Sequence, residues 1–279
     1  MIIVFTGYIL LDTFVIGESY VTVNTLTSNM ESNNQIISTD TKYEDDYISI
    51  TLNEYDEDDT KIYVADVEVK DDSLLKTAFA QSSYGKNLTE KTSTIAKRVN
   101  AILAINGDYY GVQEKGYVLR NGVIYRNKSK NNQEDLVIYK DGSFEIINES
   151  DITLEELQEL GAYQVLSFGP ALVEGESISV TTSDEVGKAK SSNPRTAIGI
   201  VSDNHYVFVV SDGRTEESEG LSLYELATFM KNLGCKTAYN LDGGGSSTMY
   251  FNGNVVNNPT TNGNRINERS ISDIVYVGY

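Results

Sequence analysis

Apolar residues recur at helical spacing most clearly between Ser222 and Gly234. Leu223, Leu226, Ala227, Met230 and Leu233 form one stripe that a core must cover. Ser222 and Glu225 have the spacing of a capping box, and Gly234 stands where a helix ends in left-handed backbone. A short strand, Thr237 to Leu241, then empties into Asp242-Gly243-Gly244-Gly245-Ser246-Ser247. Elsewhere the dominant period is two. Tyr47–Leu52 and Lys61–Val69 alternate around an acidic tip, and two more hairpins turn at Asn121-Gly122 and Asp141-Gly142. Ala101–Ile105 is apolar throughout, as a buried strand is, and follows a helix predicted over Thr89–Val99 with Ile95, Ala96 and Val99 on one face. Thr153 and Glu156 cap a short helix that stops at Gly161. Ala162–Val173 is a strand broken at Gly169-Pro170, and Thr181–Ser192 is a polar loop. Strands at Asn193–Ile200, Tyr206–Val210 and Ile271–Tyr279 complete the set, with no repeat and no second composition regime. The expected class is α+β: one domain over residues 47–279, with a central mixed β-sheet or sheets flanked by a few helices.

The first 46 residues differ. Met1–Gly17 is strongly apolar, interrupted by Asp12 and without a basic start, and is shorter than the ~20 residues a spanning helix needs. It is read as a signal-anchor remnant, against the alternative of an N-terminal strand or amphipathic segment. Residues 18–46, rich in Ser, Thr, Asn and acids, have the composition of a solvated linker. The chain is therefore expected outside the cell or at the outer face of a bacterial membrane, with membrane contact only through the N-terminal segment.

Charge narrows the partners. With 22 Lys and Arg against 41 Asp and Glu, the net charge of −19 repels nucleic acid. The single cysteine, Cys235, allows no internal disulfide and reads as a small buried hydrophobe. The single histidine, His205, sits beside an expected hairpin turn, and zinc sites built from Cys and His are ruled out. The acidic tip between Leu52 and Lys61 lacks the spacing of a calcium loop.

Chemistry gathers at strand ends. Ala101–Ile105 runs into Asn106-Gly107-Asp108, and Tyr206–Val210 runs into Ser211-Asp212-Gly213-Arg214. Arg195 opens an otherwise apolar strand, where a guanidinium needs a carboxylate or a ligand anion. Gly243, Gly244 and Gly245 suit a sharp turn or an anion-binding nest of amides, with Asn240, Asp242, Ser246 and Ser247 around them.

The ordered motifs N-G-D-Y-Y, S-F-G-P-A-L-V, N-P-R-T-A-I-G, V-V-S-D-G-R, G-L-S-L-Y-E-L-A and N-L-D-G-G-G-S-S-T resemble those of the phosphodiester glycosidase family, from about Ala101 to the C-terminus. The resemblance implies hydrolysis of a sugar-1-phosphodiester to free sugar and phosphomonoester, in cell-surface or exopolysaccharide metabolism. Asp108 and Asp242 then become nucleophile or base and assisting acid, in either order. Asp212 holds Arg195 or Arg214, or helps bind a divalent cation. Arg195, Arg214 and the Gly243–Gly245 amides receive the phosphate, while Asn106, Asn240, Ser246 and Ser247 hydrogen-bond sugar or phosphate. Two other readings compete: calcium or magnesium held by Asp108, Asp212 and Asp242, and a non-catalytic surface-tethered module that grips polysaccharide.

Overall fold

The longest ladder starts from a two-residue turn. Asp58 and Asp59 have φ of 51° and 52°, as a type I′ hairpin turn requires. Around them strands Ile48–Glu57 and Thr60–Val69 pair without a break. The acidic stretch is thus mostly strand, and Lys61 bridges Glu54 at 3.2 Å and Asp56 at 3.4 Å. The computed structural model describes residues 21–23, 36–184 and 192–279. The expected anchor, residues 1–17, and most of the expected 181–192 loop lie outside them.

That hairpin belongs to a nine-stranded sheet. Its order is Ser177–Ile178, Ala171–Glu174, Thr237–Asn240, Arg195–Ser202, His205–Ser211, Thr60–Val69, Ile48–Glu57, Lys42–Glu44 and Ile37–Ser38. Alternation gives it two apolar faces. Ala197, Val207 and Val209 pack with Leu223, Leu226, Ala227 and Met230 of the helix Leu223–Asn232. Ile198, Phe208 and Val210 point the other way, into a core shared with two five-stranded sheets. One of these contains Leu103–Asn106 beside Met249–Phe251 and Asp273–Val277. The other contains Val118–Arg120, Glu134–Tyr139 and Ala162–Leu166.

The α+β class and the capping boxes at Ser222/Glu225 and Thr153/Glu156 are as expected. Three details differ. All strand pairs among the described residues are antiparallel where a mixed sheet was expected. Tight turns join about half of the paired strands, and such turns can make only antiparallel pairs. Part of the supposed linker is sheet: Ile37–Ser38 and Lys42–Glu44 form its edge, and Val21–Thr22 pairs with Ser83–Tyr84. An edge strand that buries only Tyr43 has the composition of a tether. The helix near residue 95 is shorter, Thr92–Arg98, because Glu90 instead pairs with Ile271. Among the described residues, no helix is long and apolar enough to cross a membrane.

Candidate active site

Strands Thr237–Asn240 and Arg195–Ser202 pair with Asn240 opposite Ala197. Just past their ends the chain opens a cavity of about 170 Å³, lined by Phe168, Asn193, Arg195, Arg214, Asn240, Leu241, Asp242, Gly243, Gly244 and Arg269. Among the described residues Asp242 is the only carboxylate in its lining. Ser246 Oγ donates to Asp242 Oδ2 at 2.6 Å, and Arg269 Nη2 lies 3.2 Å from the same oxygen. Burial pushes the Asp242 carboxyl above its ordinary range, and Arg269 and Ser246 only partly offset this. From behind, Asp242 N donates to Gly107 O, and Asn106 Nδ2 donates to Asp242 O at 2.6 Å.

Three guanidinium groups share this cavity. Arg195 is almost fully buried and donates from Nε to Leu221 O at 2.8 Å. Arg214 has left-handed backbone, φ 65°, and its side chain donates to Asn193 Oδ1 and Thr261 O. Its acidity is increased by burial first, then by Arg269 and Arg195 close by. Arg269 stitches the glycine turn together, donating to Gly243 O and Ser246 Oγ while its backbone amide reaches Gly245 O. Such a cluster favours a bound anion that accepts several donors at once.

The glycine run lets its backbone pass close to Pro194, Arg214 and Thr261. A Cβ on Gly243 would sit 2.8 Å from Pro194 O, one on Gly244 2.9 Å from Arg214 Nη2, and one on Gly245 2.4 Å from Thr261 Oγ1. Gly244 also has φ 63°, in the left-handed region. Of the three amides expected to form a nest, that of Gly244 is engaged within the fold. Gly244 N donates to Pro194 O, and the Ser246 and Ser247 amides close a 3₁₀ turn onto Gly243 and Gly244. Gly244→Ala is expected to cost about 1–3 kcal/mol of stability, as left-handed backbone does for a residue with a Cβ. Denaturant unfolding measures that cost, and KM should rise more than kcat falls because Arg214 is displaced.

Other expected site residues lie elsewhere. Asp108 is sealed inside the protein, accepting from Arg120 Nη2 at 2.7 Å, Ser167 N at 2.9 Å and Tyr110 N at 3.0 Å. Arg120 is held equally by Asp273, at 2.8 Å. Asp108 is therefore a structural acid whose loop supports Asp242 through Gly107. Asp212 is held from another loop. It accepts from Asn258 N at 2.8 Å, Asn257 Nδ2 at 3.1 Å and Tyr63 Oη at 3.3 Å, and so pins the loop beside Ser247. Asn106 is fully buried and spends its Oδ1 on Thr196 Oγ1 and Thr248 N. Ser246 orients Asp242 and Arg269, and Ser247 is buried outside the cavity lining. The three aspartates envisaged around one cation have separate partners. Among the described residues no group of three His, Cys, Asp or Glu is placed to hold a metal ion. Sequence reasoning passed over Arg269, Asn193 and Phe168. The available signal for Arg269 was a second arginine just ahead of the closing strand.

The family model described as phosphodiester glycosidase matches residues 99–278, and the chain belongs to that family. It is similar to the SPbeta prophage-derived uncharacterized protein YomE of Bacillus subtilis (strain 168), 27% identical over 203 residues, which are 71% of this chain and 31% of YomE. It is also similar to mouse N-acetylglucosamine-1-phosphodiester alpha-N-acetylglucosaminidase, 39% identical over 66 residues, covering 24% of this chain and 13% of that enzyme. The chain thus spans less than a third of the length of these curated relatives. Among solved structures, the zebrafish N-acetylglucosamine-1-phosphodiester alpha-N-acetylglucosaminidase catalytic domain, auto-inhibited by its pro-peptide, shares the fold. It has a TM-score of 0.66 at 22% identity and covers 95% of this chain and 89% of that one.

Proposed function

We propose that this chain hydrolyses a sugar-1-phosphodiester at the anomeric carbon, releasing free sugar and a phosphomonoester. The observation that carries this reading is one cavity carboxylate, Asp242, among the guanidiniums of Arg195, Arg214 and Arg269. A phosphodiester brings one negative charge and gains a second on leaving, which the arginines offset. The bond between C1 and the bridging oxygen breaks, a hydroxyl from water ends on C1, and the phosphate keeps the bridging oxygen. One proton passes to solvent. The transition state at C1 has oxocarbenium character, which a carboxylate stabilises. Asp242 either attacks C1 or deprotonates the water that does, and NMR of the first-released anomer separates the two. Phosphate leaves readily, so the chemistry proceeds without Asp108 as assisting acid.

Incubation with a sugar-1-phosphodiester and assay for new reducing ends tests the reading. Glycan binding without release would favour the surface-tethered binding module. Because burial raises the Asp242 carboxyl and the reaction needs it ionised, activity should fall on acidification through a value above 3.8. A kcat profile flat to about pH 4 would contradict this assignment. We place the enzyme at the outer face of a bacterial membrane, with a cell-surface or exopolysaccharide substrate. The apolar Met1–Gly17 segment and the polar stretch after it support that location. Fusion to a reporter active only outside the cytoplasm checks it.

A further inference from the structure

Behind the cavity wall lies a cluster of acids that the proposed chemistry does not use. Asp135, on strand Glu134–Tyr139, is fully buried, and neither carboxyl oxygen has a hydrogen-bond donor. It lies against Glu149 and Ser167. The Ser167 hydroxyl, however, donates to Glu149 Oε1 at 3.0 Å. Glu149 is itself buried and has other donors, accepting also from Tyr117 N at 2.8 Å and Lys130 N at 2.5 Å. The Lys130 ammonium turns instead to Gln133 at 2.8 Å. Asp108 is the third acid nearby, and its charge is taken up by Arg120. Tyr117 and Tyr239 also face Asp135 and are neutral at physiological pH, and Glu134 Oε2 is turned to Ala171 N. Among the described residues no ion pair includes Asp135 or Glu149.

Two carboxylates pressed together without a donor between them cannot both stay ionised in a dry interior. We infer that Asp135 is a positioning residue that stays protonated and donates to ionised Glu149, so that one proton clamps the Ser167–Phe168 wall of the cavity. Glu149 holds Ser167 Oγ, Ser167 N holds Asp108, and Phe168 lines the cavity. Burial and Glu149 both push the Asp135 carboxyl far above its ordinary value of 3.8. A group raised in this way stabilises the fold in full below the unfolded value. That contribution is lost as pH rises through the native one.

The two partners should respond oppositely to amide substitution. Asp135→Asn supplies a permanent N–H donor to Glu149. It should keep the melting temperature at neutral pH and flatten the decline that sets in as pH rises above about 3.8, by about 3–5 °C for each pH unit crossed. Glu149→Gln places an amide NH₂ against groups that already donate, and should lower the melting temperature at every pH. Any fall of kcat with rising pH that wild type shows should be weaker in Asp135→Asn, with KM little changed. Melting curves need no turnover, so they test the shared proton even if the hydrolase reading fails. Equal pH slopes for wild type and Asp135→Asn would overturn the inference, as would a Glu149→Gln protein more stable than Asp135→Asn.

Discussion

Asp242→Asn is expected to lower kcat by about 10²–10⁴-fold, the range for removing one positioned proton-transfer group or nucleophile. The amide is isosteric and can still accept from Ser246, so the turn Gly244–Ser246 should keep its shape. Because the native carboxyl is held above its usual range by burial, neutralising it relieves a cost, and the melting temperature should not fall. Removing a negative charge beside Arg195, Arg214 and Arg269 should also strengthen anion binding, so inorganic phosphate should inhibit the variant at lower concentration than wild type. Steady-state kinetics with phosphate inhibition checks the first and last of these, and a melting curve checks the second. Unchanged kcat removes Asp242 from the mechanism, and weaker phosphate binding contradicts the arrangement of the arginines.

Arg120→Leu carries the largest expected cost in stability. Arg120 is one of the most deeply buried side chains and neutralises Asp108 and Asp273 together, while also donating to Leu119 O and Val165 O. Taking away one partner of a buried ion pair leaves the other charged and unsolvated, which costs about 3–5 kcal/mol. Burial already raises the Asp273 carboxyl against the pull of Arg120. Without Arg120 the Asp273 carboxyl should be raised further, so the variant should lose least at acid pH and progressively more as pH rises. Denaturant unfolding at several pH values measures this, and a neutral-pH loss under about 1 kcal/mol would contradict it. Activity should fall as well. Asp273 Oδ1 occupies the space a side chain at Gly107 would need, and Gly107 O supports Asp242 N.

Much of this architecture can be read from the chain, because local rules agree with tertiary ones. The helix Leu223–Asn232 has its stripe, its capping box and its terminal glycine in the sequence, and all three appear in space. Asn121-Gly122 turns a hairpin for the same reason, through positive φ at both residues. What failed was the distinction between polar groups that face a ligand and polar groups that face each other. Asp108 and Asp212 stand at strand ends beside glycines, like Asp242, yet one is locked by Arg120 and the other by Asn257, Asn258 and Tyr63. Those partners lie from 12 to 149 residues away, and no short-range pattern announces them. Arg269 escaped notice for the converse reason, since its 27-residue separation from Asp242 is bridged only by the folded glycine turn.

The most direct test of the central claim follows the oxygen. Hydrolysis of a sugar-1-phosphodiester in ¹⁸O-labelled water by the wild-type chain should place the label on the anomeric hydroxyl of the released sugar, leaving the phosphomonoester unlabelled. Label in the phosphate would mean that the phosphorus–oxygen bond is broken instead, and Asp242 would then not be acting at an anomeric carbon.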